Sequence, residues 1–328
     1  MARVSRNARI AALIHSHTIR SSSRVLPKIG DIRSARRLAL RLAFVAAGLA
    51  FVVRELVQGL HDGSFHDLQP AWLIASLAAA CASMGVIAAR WAQAARLVGA
   101  ELPVRDAVPL YFQGEIGKYL PGAIWAVVGR AELARRNGVA RSAAYASVAS
   151  SLAGTYLAGA LAAVLLLPFA AGARGAGAVV GVVAFLVVGL LALHPAVVGR
   201  LVALVERVSK RSLEITVPSW RDAVALVLGY LPAWLGIALA HWCALRAIGI
   251  DPSFPHVAFA AAVSWCAGFL AIPAPGGIGV RESIFVLTSG LVGHDAAAGA
   301  LLARFAFVIA DGAGALLGAA WMTRRSRG

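Results

Sequence analysis

Long apolar runs separated by short polar segments make up most of the chain. A helix rises about 1.5 Å per residue, so about 20 residues cross a hydrocarbon core of about 30 Å. Six runs have a length suited to crossing. We therefore predict an all-α polytopic membrane protein whose six spans are Leu38–Leu60, Ala71–Ala89, Ser142–Leu167, Ala176–Leu193, Ala223–Ile248 and Ala296–Trp321.

Two further apolar regions are interrupted by residues that break helices. The region Ala107–Gly129 contains Lys118, Pro121 and Gly122, and the region Val257–Gly293 contains the Pro- and Gly-rich segment 273–282. Non-helical backbone is tolerated at membrane depth only where protein or water covers it. Each break therefore predicts a cavity inside the protein.

The distribution of basic loops predicts the orientation of the chain. Loops rich in Lys and Arg stay in the cytoplasm, and both termini are basic, so we place both termini there. The loop 61–70 contains no Lys or Arg and is predicted to lie outside. Each broken region then begins and ends on one side of the membrane, as a re-entrant hairpin does. For 257–293 a broken full-depth helix pair is the alternative. Two spans, a broken region and one span thus occur twice in opposite orientation, which predicts an inverted repeat with a site at mid-membrane.

Composition supports the membrane assignment and limits the classes of molecule that the protein is expected to bind. Hydrophobic residues make up 60% of the chain and charged residues 14%, whereas a soluble domain carries about 25% charged residues. The net charge of +16 comes without a nucleic-acid-reading motif, so it predicts contact with anionic membrane lipids and no nucleic acid. Residues 1–37 are predicted to be a basic, disordered cytoplasmic tail, with a transit peptide as the alternative. Residues 38–323 are the predicted transmembrane domain, and 324–328 a second basic tail.

Charged side chains at the two breaks are the candidate chemistry. An ionised side chain at mid-bilayer costs about 2.5–3.5 kcal/mol on insertion scales, so several of them at the breaks indicate a use or strong pairing. A structural role is the alternative for each of them. Glu115 and Lys118 have the spacing of an ion pair within one helix, and Arg130 is compatible with a position at the cytoplasmic interface. Arg281 and Glu282 are compatible with structural partners. We predict substrate binding by Glu115, Lys118, Arg130, Arg281 and Glu282, and backbone breaks at Pro121, Gly122, Pro275, Gly276, Gly277 and Gly279.

No catalytic motif, cofactor motif or metal-ligand spacing is recognisable. The three cysteines lie singly in apolar runs, and the longest connector, His194–Asp222, is too short for a soluble catalytic domain. Arg304 and Asp311 lie seven residues apart on the last predicted helix, hence on one face. We expect no enzyme activity, no cofactor and no metal.

Both breaks resemble signatures of one family. The stretch Gly117-Lys-Tyr-Leu-Pro-Gly122 with Trp125 and Arg130, and the stretch Pro275-Gly-Gly-Ile-Gly-Val-Arg-Glu282, resemble the lysylphosphatidylglycerol synthase transmembrane-region family. That family includes the flippase half of bacterial multiple peptide resistance factors. The sequence ends at Gly328, without the aminoacyltransferase of those proteins, so the resemblance implies a translocation module and no synthase activity. The positions that match are Lys118, Pro121, Gly122, Arg130, Gly276, Gly277, Gly279, Arg281 and Glu282.

The leading hypothesis is flippase-like translocation of an amphiphile with an anionic headgroup, a phospholipid or an isoprenoid lipid, across the plasma membrane. One alternative is a membrane-embedded lipid-phosphate enzyme, for which only Glu115, Glu282 and Asp311 are placed to act. Another is a non-catalytic partner of a lipid or envelope glycan enzyme. Expected partners are anionic membrane lipids, a second copy of the chain or a lipid-synthesis enzyme.

Overall fold

Helices account for the regular structure throughout the described part of the chain. The computed structural model describes residues 68–119, 124–169, 176–210, 212–271, 279–291 and 294–325, together with residues 57 and 277. Within these ranges the helices are α1 Pro70–Leu97, α2 Val104–Glu115, α3 Trp125–Arg136, α4 Arg141–Leu166, α5 Ala176–Ala192, α6 Pro195–Ser209, α7 Trp220–Gly229, α8 Leu231–Ala247, α9 Phe254–Leu270, α10 Val280–Thr288 and α11 His294–Arg325. Short 3₁₀ turns follow α2 at Ile116–Tyr119 and α4 at Leu167–Phe169.

Four of the six predicted spans are confirmed as helices long and apolar enough to cross a membrane. They are Pro70–Leu97, Arg141–Phe169, Trp220–Ala247 and Asp295–Arg324. The predicted span Ala176–Leu193 corresponds to the 17-residue helix α5, which reaches spanning length only when it is joined to α6 across a 70° bend. The predicted span Leu38–Leu60 and the predicted tail 1–37 lie outside the described residues. The described part therefore holds four spans, or five if the bent pair is one, and the predicted count of six is not exact.

The two interrupted regions fold as helix–break–helix units, as predicted. The arms of the first unit are α2 and α3, and those of the second are α9 and α10. In both units the arms pack against each other, and a glycine allows the close approach: Gly114 faces Arg130, and Gly268 faces Arg281. The longest arm, α9, has 17 residues, or about 26 Å at 1.5 Å per residue. No described arm alone crosses a core of about 30 Å, which favours re-entrant hairpins.

The packing of the described helices is compatible with the predicted inverted repeat. The predicted halves begin with Leu38–Leu60, which lies outside the described residues, and with Ala176–Leu193, and the second span of each half is α1 and α7 with α8. Contacts between α1 and α8 pair Gln69 with Ala247, Ser76 with Ala240 and Ser83 with Gly236. Residue numbers rise in one helix as they fall in the other, so these corresponding helices are antiparallel. The symmetry extends further, because α2 packs on α11 as α9 packs on α4.

Small residues let the helices of the bundle approach closely. A Cβ atom at Gly159 would lie 2.2 Å from the ring of Trp234, and one at Gly314 would lie 2.3 Å from Phe112. Buried polar groups are bonded across helices; the indole N–H of Trp234, for example, donates to the carbonyl of Thr155 at 2.8 Å. Interfaces of this kind hold membrane helices together because apolar burial between lipid-like surfaces contributes little. The closely packed helices of this bundle support the two hairpins.

Candidate functional site

The two hairpins contribute to one cavity of about 340 Å³. The first hairpin supplies Glu115, Lys118 and Arg130, and the second supplies Arg281 and Gly277. Helix α4 forms another wall with Leu152, Thr155 and Tyr156. The structure thus brings four of the five predicted charged side chains together, although 163 positions separate Lys118 from Arg281 in the sequence.

Lys118 forms the centre of an ion-pair cluster between the first hairpin and the last helix. Its Nζ lies 2.6 Å from Oδ2 of Asp311 and 3.3 Å from Oε1 of Glu115. The Tyr119 hydroxyl donates to the same Asp311 oxygen at 2.7 Å. Asp311 has no exposed side-chain surface, so this cluster fixes the 3₁₀ turn Ile116–Tyr119 against α11. The local Glu115–Lys118 pair, considered from spacing alone, is therefore present as part of a larger network.

Arg130 lies inside the protein and does not mark an interface. Its side chain is 2% exposed, and its guanidinium lies over the Tyr111 ring at 5.0 Å from the centroid. The Nε atom is 3.7 Å from Oε2 of Glu115 and donates to the carbonyl of Ala126 at 3.4 Å. A desolvated cation over an aromatic face is stabilised by the ring quadrupole. Arg130 on α3 thereby contacts Tyr111 and Glu115 on α2 and joins the two arms of the first hairpin.

Glu282 has structural partners on both carboxylate oxygens. Oε2 accepts a hydrogen bond from the Gly279 N–H at 2.8 Å, which caps the start of α10, and Oε1 pairs with Arg304 on α11. Gly279 has φ +82°, a left-handed conformation that favours glycine. Glu282 and Arg304 line a second, smaller cavity of about 40 Å³. The predicted residue is thus at a cavity wall, but its charge is already compensated.

Arg281 differs from the other charged groups. Its guanidinium lies over the ring of Trp265, 4.2 Å from the centroid. Its Nε is buried without a hydrogen-bond partner, and no carboxylate forms an ion pair with it among the residues that the structure describes. In particular, Arg281 forms no ion pair with Glu115, whose cationic partners are Lys118 and Arg130. Arg281 is therefore a cation with free donors at a cavity wall.

Two glycines leave the space that the Arg281 side chain occupies. A Cβ atom at Gly268 would lie 2.4 Å from the Cγ of Arg281, and one at Gly277 would lie 2.9 Å from its Nε. Gly277 also has φ +71°, so the chain turns there in a conformation that side chains rarely adopt. Of the other predicted break residues, Pro121, Gly122, Pro275 and Gly276 lie outside the described residues.

The two cavities share one wall, and the larger one has an apolar edge. Lys118, Trp265 and Arg281 line both cavities. At the edge of the larger cavity, Ile124, Phe269 and Leu270 are exposed hydrophobic residues. The cavity therefore combines cations inside with apolar surface outside, an arrangement that suits an amphiphile.

Sequence reasoning missed several residues that form the site. Asp311 is not among the predicted substrate-binding residues, and neither are Trp265 and Tyr156, which line the cavities. A lone acid within an apolar helix was the available signal for Asp311, since such residues mark functional sites. No signal identified Trp265, because its role depends on the hairpin that places Arg281 over it. Within the described ranges, no group of three or more His, Cys, Asp or Glu side chains is arranged to hold a metal ion.

Comparison with known proteins supplies the family. Comparison of the chain with curated proteins gives no match. The sequence model of the lysylphosphatidylglycerol synthase TM region matches residues 38–315, a range that contains both hairpins and most of the chain. The chain therefore belongs to the lysylphosphatidylglycerol synthase TM region family.

Proposed function

We propose that this protein translocates an amphiphile with an anionic headgroup, a phospholipid or an isoprenoid lipid, between the leaflets of the membrane. The family is a membrane domain associated with lipid flippase-like function. The observation that carries the choice of headgroup is Arg281, an unpaired guanidinium at the wall shared by two cavities.

The charge balance around the cavities supports one bound anion. Glu115 and Asp311 are compensated by Lys118 and Arg130, and Glu282 is compensated by Arg304. Arg281 is the remaining positive charge among these described groups. A lipid phosphate next to it accepts charge-assisted hydrogen bonds, which are about twice as strong as neutral ones. The planar fork of arginine also matches the geometry of a phosphate better than an ammonium does.

The apolar edge of the cavity supports a substrate that keeps its tails in the bilayer. Ile124, Phe269 and Leu270 are exposed where the two hairpins meet, while Arg281 lies farther inside against Trp265. A headgroup held at Arg281 leaves its hydrocarbon chains among these side chains and the surrounding lipid. The cavity thus replaces the hydration that a headgroup loses on crossing the hydrocarbon core.

A membrane-embedded lipid-phosphate enzyme is the weaker candidate. Such an enzyme needs a carboxylate free to act as a base or nucleophile, and Glu115, Asp311 and Glu282 each have a cationic partner. We therefore propose that the chain is not an enzyme. We also propose that it resides in the plasma membrane with both termini in the cytoplasm, and that its partners are anionic lipids, a second copy or a lipid-synthesis enzyme.

Leaflet exchange in liposomes tests the proposal. The purified chain is reconstituted with fluorescent phosphatidylglycerol or phosphatidylcholine, and exchange is measured by dithionite reduction of the outer leaflet. We expect faster exchange of phosphatidylglycerol, loss of exchange in Arg281→Ala and partial recovery in Arg281→Lys. The matched control is Arg135→Ala, which removes an arginine whose exposed partner is Glu132. Wild-type exchange by Arg281→Ala with unchanged thermal stability would contradict the proposal.

A further inference from the structure

Helix α6 leaves the direction of the preceding helix abruptly. Two residues separate the end of α5 from the start of α6, and the two helices meet at 70°. Pro195 occupies the first turn, and the His194 ring accepts a hydrogen bond from the Ala196 N–H at 3.3 Å. The apolar helix α5 packs on the spanning helix α4, and a helix inclined at 70° to one that runs across the membrane lies nearer to the membrane plane than to its normal. We infer from this bend that α6 lies at the membrane surface.

The two faces of α6 suit that position. At 100° per residue the valines and leucines form one arc that also contains Ser209, and Arg200 and Arg207 lie together beyond its edge. The arc is exposed, and its large exposed side chains are Val197, Leu201, Leu204, Val205 and Val208. Helices with one apolar and one basic face lie in the interface, with the apolar face buried about 5–10 Å into the headgroup–acyl boundary.

Behind α6 lies an apolar cavity of about 420 Å³. Val198, Leu201, Val202 and Val205 of α6 form one wall, and the starts of α4 and α7, the end of α1 and the connector 213–218 form the others. Binding sites for small apolar molecules typically have volumes of about 300–1,000 Å³. The cavity is thus large enough for a ligand and has few polar groups to receive water.

Hydrogen bonds hold the connector in place, so that the cavity has fixed walls. The Leu213 N–H donates to the Glu206 carboxylate at 2.7 Å, and the Thr216 N–H donates to the carbonyl of Val98 at 3.2 Å. These bonds join the connector to α6 on one side and to the end of α1 on the other. The gap between α6 and the bundle is therefore spanned by ordered backbone.

Exposed arginines adjoin the lining residues of this cavity in the sequence. Arg96, Arg141 and Arg200 each directly precede a lining residue, and Arg221 lies two residues before Ala223. Arg207 lies two residues after Val205, and three acids lie within the same distance of a lining residue, namely Glu206, Glu214 and Asp222. The five arginines exceed the three acids, so the residues beside this apolar interior carry a net positive charge. That charge distribution is complementary to a phospholipid with an anionic headgroup.

We propose that this cavity is a second lipid site, in which an anionic phospholipid inserts one acyl chain between α6 and the bundle and places its phosphate among these arginines. The site is separate from the Arg281 cavity, and no residue lines both. It holds a resident lipid of the leaflet in which α6 lies. The proposal does not depend on translocation.

Native mass spectrometry of the full chain in detergent tests this site. Phosphatidylglycerol and phosphatidylcholine with identical acyl chains are titrated, and the bound lipids are counted. We expect at least tenfold tighter retention of phosphatidylglycerol. Val202→Trp, which fills the cavity, weakens retention of both lipids at least tenfold, whereas Ala203→Trp, on the neighbouring exposed face, is the matched control. Replacement of Arg141 and Arg200 by glutamine reduces retention of phosphatidylglycerol to the level of phosphatidylcholine.

Repeating each titration in the Arg281→Ala chain separates this site from the translocation cavity. The effect of Val202→Trp persists in that background if the proposal holds. Equal retention of both lipids by the wild type, or wild-type retention by a folded Val202→Trp chain, overturns the proposal. A dimer that Val202→Trp dissociates, without loss of bound lipid, overturns it as well. If Val202→Trp does not fold, the double arginine variant decides, because its exposed positions leave the core unchanged.

Discussion

Replacing Gly268 by alanine moves the Arg281 guanidinium without removing its charge. The new Cβ atom lies 2.4 Å from the Cγ and 2.7 Å from the Nε of Arg281. Ordinary contacts begin at 3.4 Å, so Cγ has to move by at least 1.0 Å, the difference between 3.4 and 2.4 Å. The neighbour is a flexible side chain, which yields at lower energy than backbone does. We therefore expect the guanidinium to leave the Trp265 ring while the helices stay in place.

The size of the expected effect follows from the required geometry. A misplacement of about 1 Å at a reacting or binding group costs about 100-fold in rate. We expect Gly268→Ala to slow phosphatidylglycerol exchange in liposomes by about that factor, with little loss of thermal stability in detergent. Gly85→Ala is the matched control, since no atom lies within 4 Å of the added Cβ. Wild-type exchange by a Gly268→Ala chain of unchanged melting temperature would refute the assignment of the headgroup to Arg281.

Three further changes test the frame around the site, each by thermal unfolding in detergent. Asp311→Asn removes the 2.6 Å partner of Lys118, which keeps Glu115 at 3.3 Å, so we expect a loss below about 3–5 kcal/mol, the cost of a pair left uncompensated; an unchanged melting temperature would show that the pair does not hold the hairpin. Gly159→Ala places a Cβ 2.2 Å from Trp234, and overpacking of this kind costs about 1–3 kcal/mol; a stabilised variant would contradict the tight α4–α8 contact. Gly249→Ala meets no neighbour but has φ +80°, so backbone strain alone lowers stability by about 1–2 kcal/mol, and a neutral result would refute that conformation.

Much of the architecture is determined by the sequence, because a membrane leaves a chain few choices. Every backbone polar group in hydrocarbon needs an internal partner, so each long apolar run forms a helix. Four predicted spans are confirmed on this ground, including Ala71–Ala89 and Ser142–Leu167. Proline and glycine interrupt the helical hydrogen bonds locally, and both interrupted regions are helix–break–helix units in the structure. The family also followed from the residues at these breaks.

Only the tertiary structure decided which charges have partners. The sequence contained Glu115, Lys118, Arg281 and Asp311 as separate ionisable residues and allowed several pairings among them. The packing of α2 on α11 places Asp311 beside Lys118, and the second hairpin turns Arg281 over Trp265 with its Nε unbonded. An ion pair requires its two groups to lie within about 4 Å, and that depends on how helices distant in sequence pack. Sequence spacing predicts neighbours only within one helix. That the Arg281 guanidinium lacks an ion-pair partner therefore follows only from the packing of the helices.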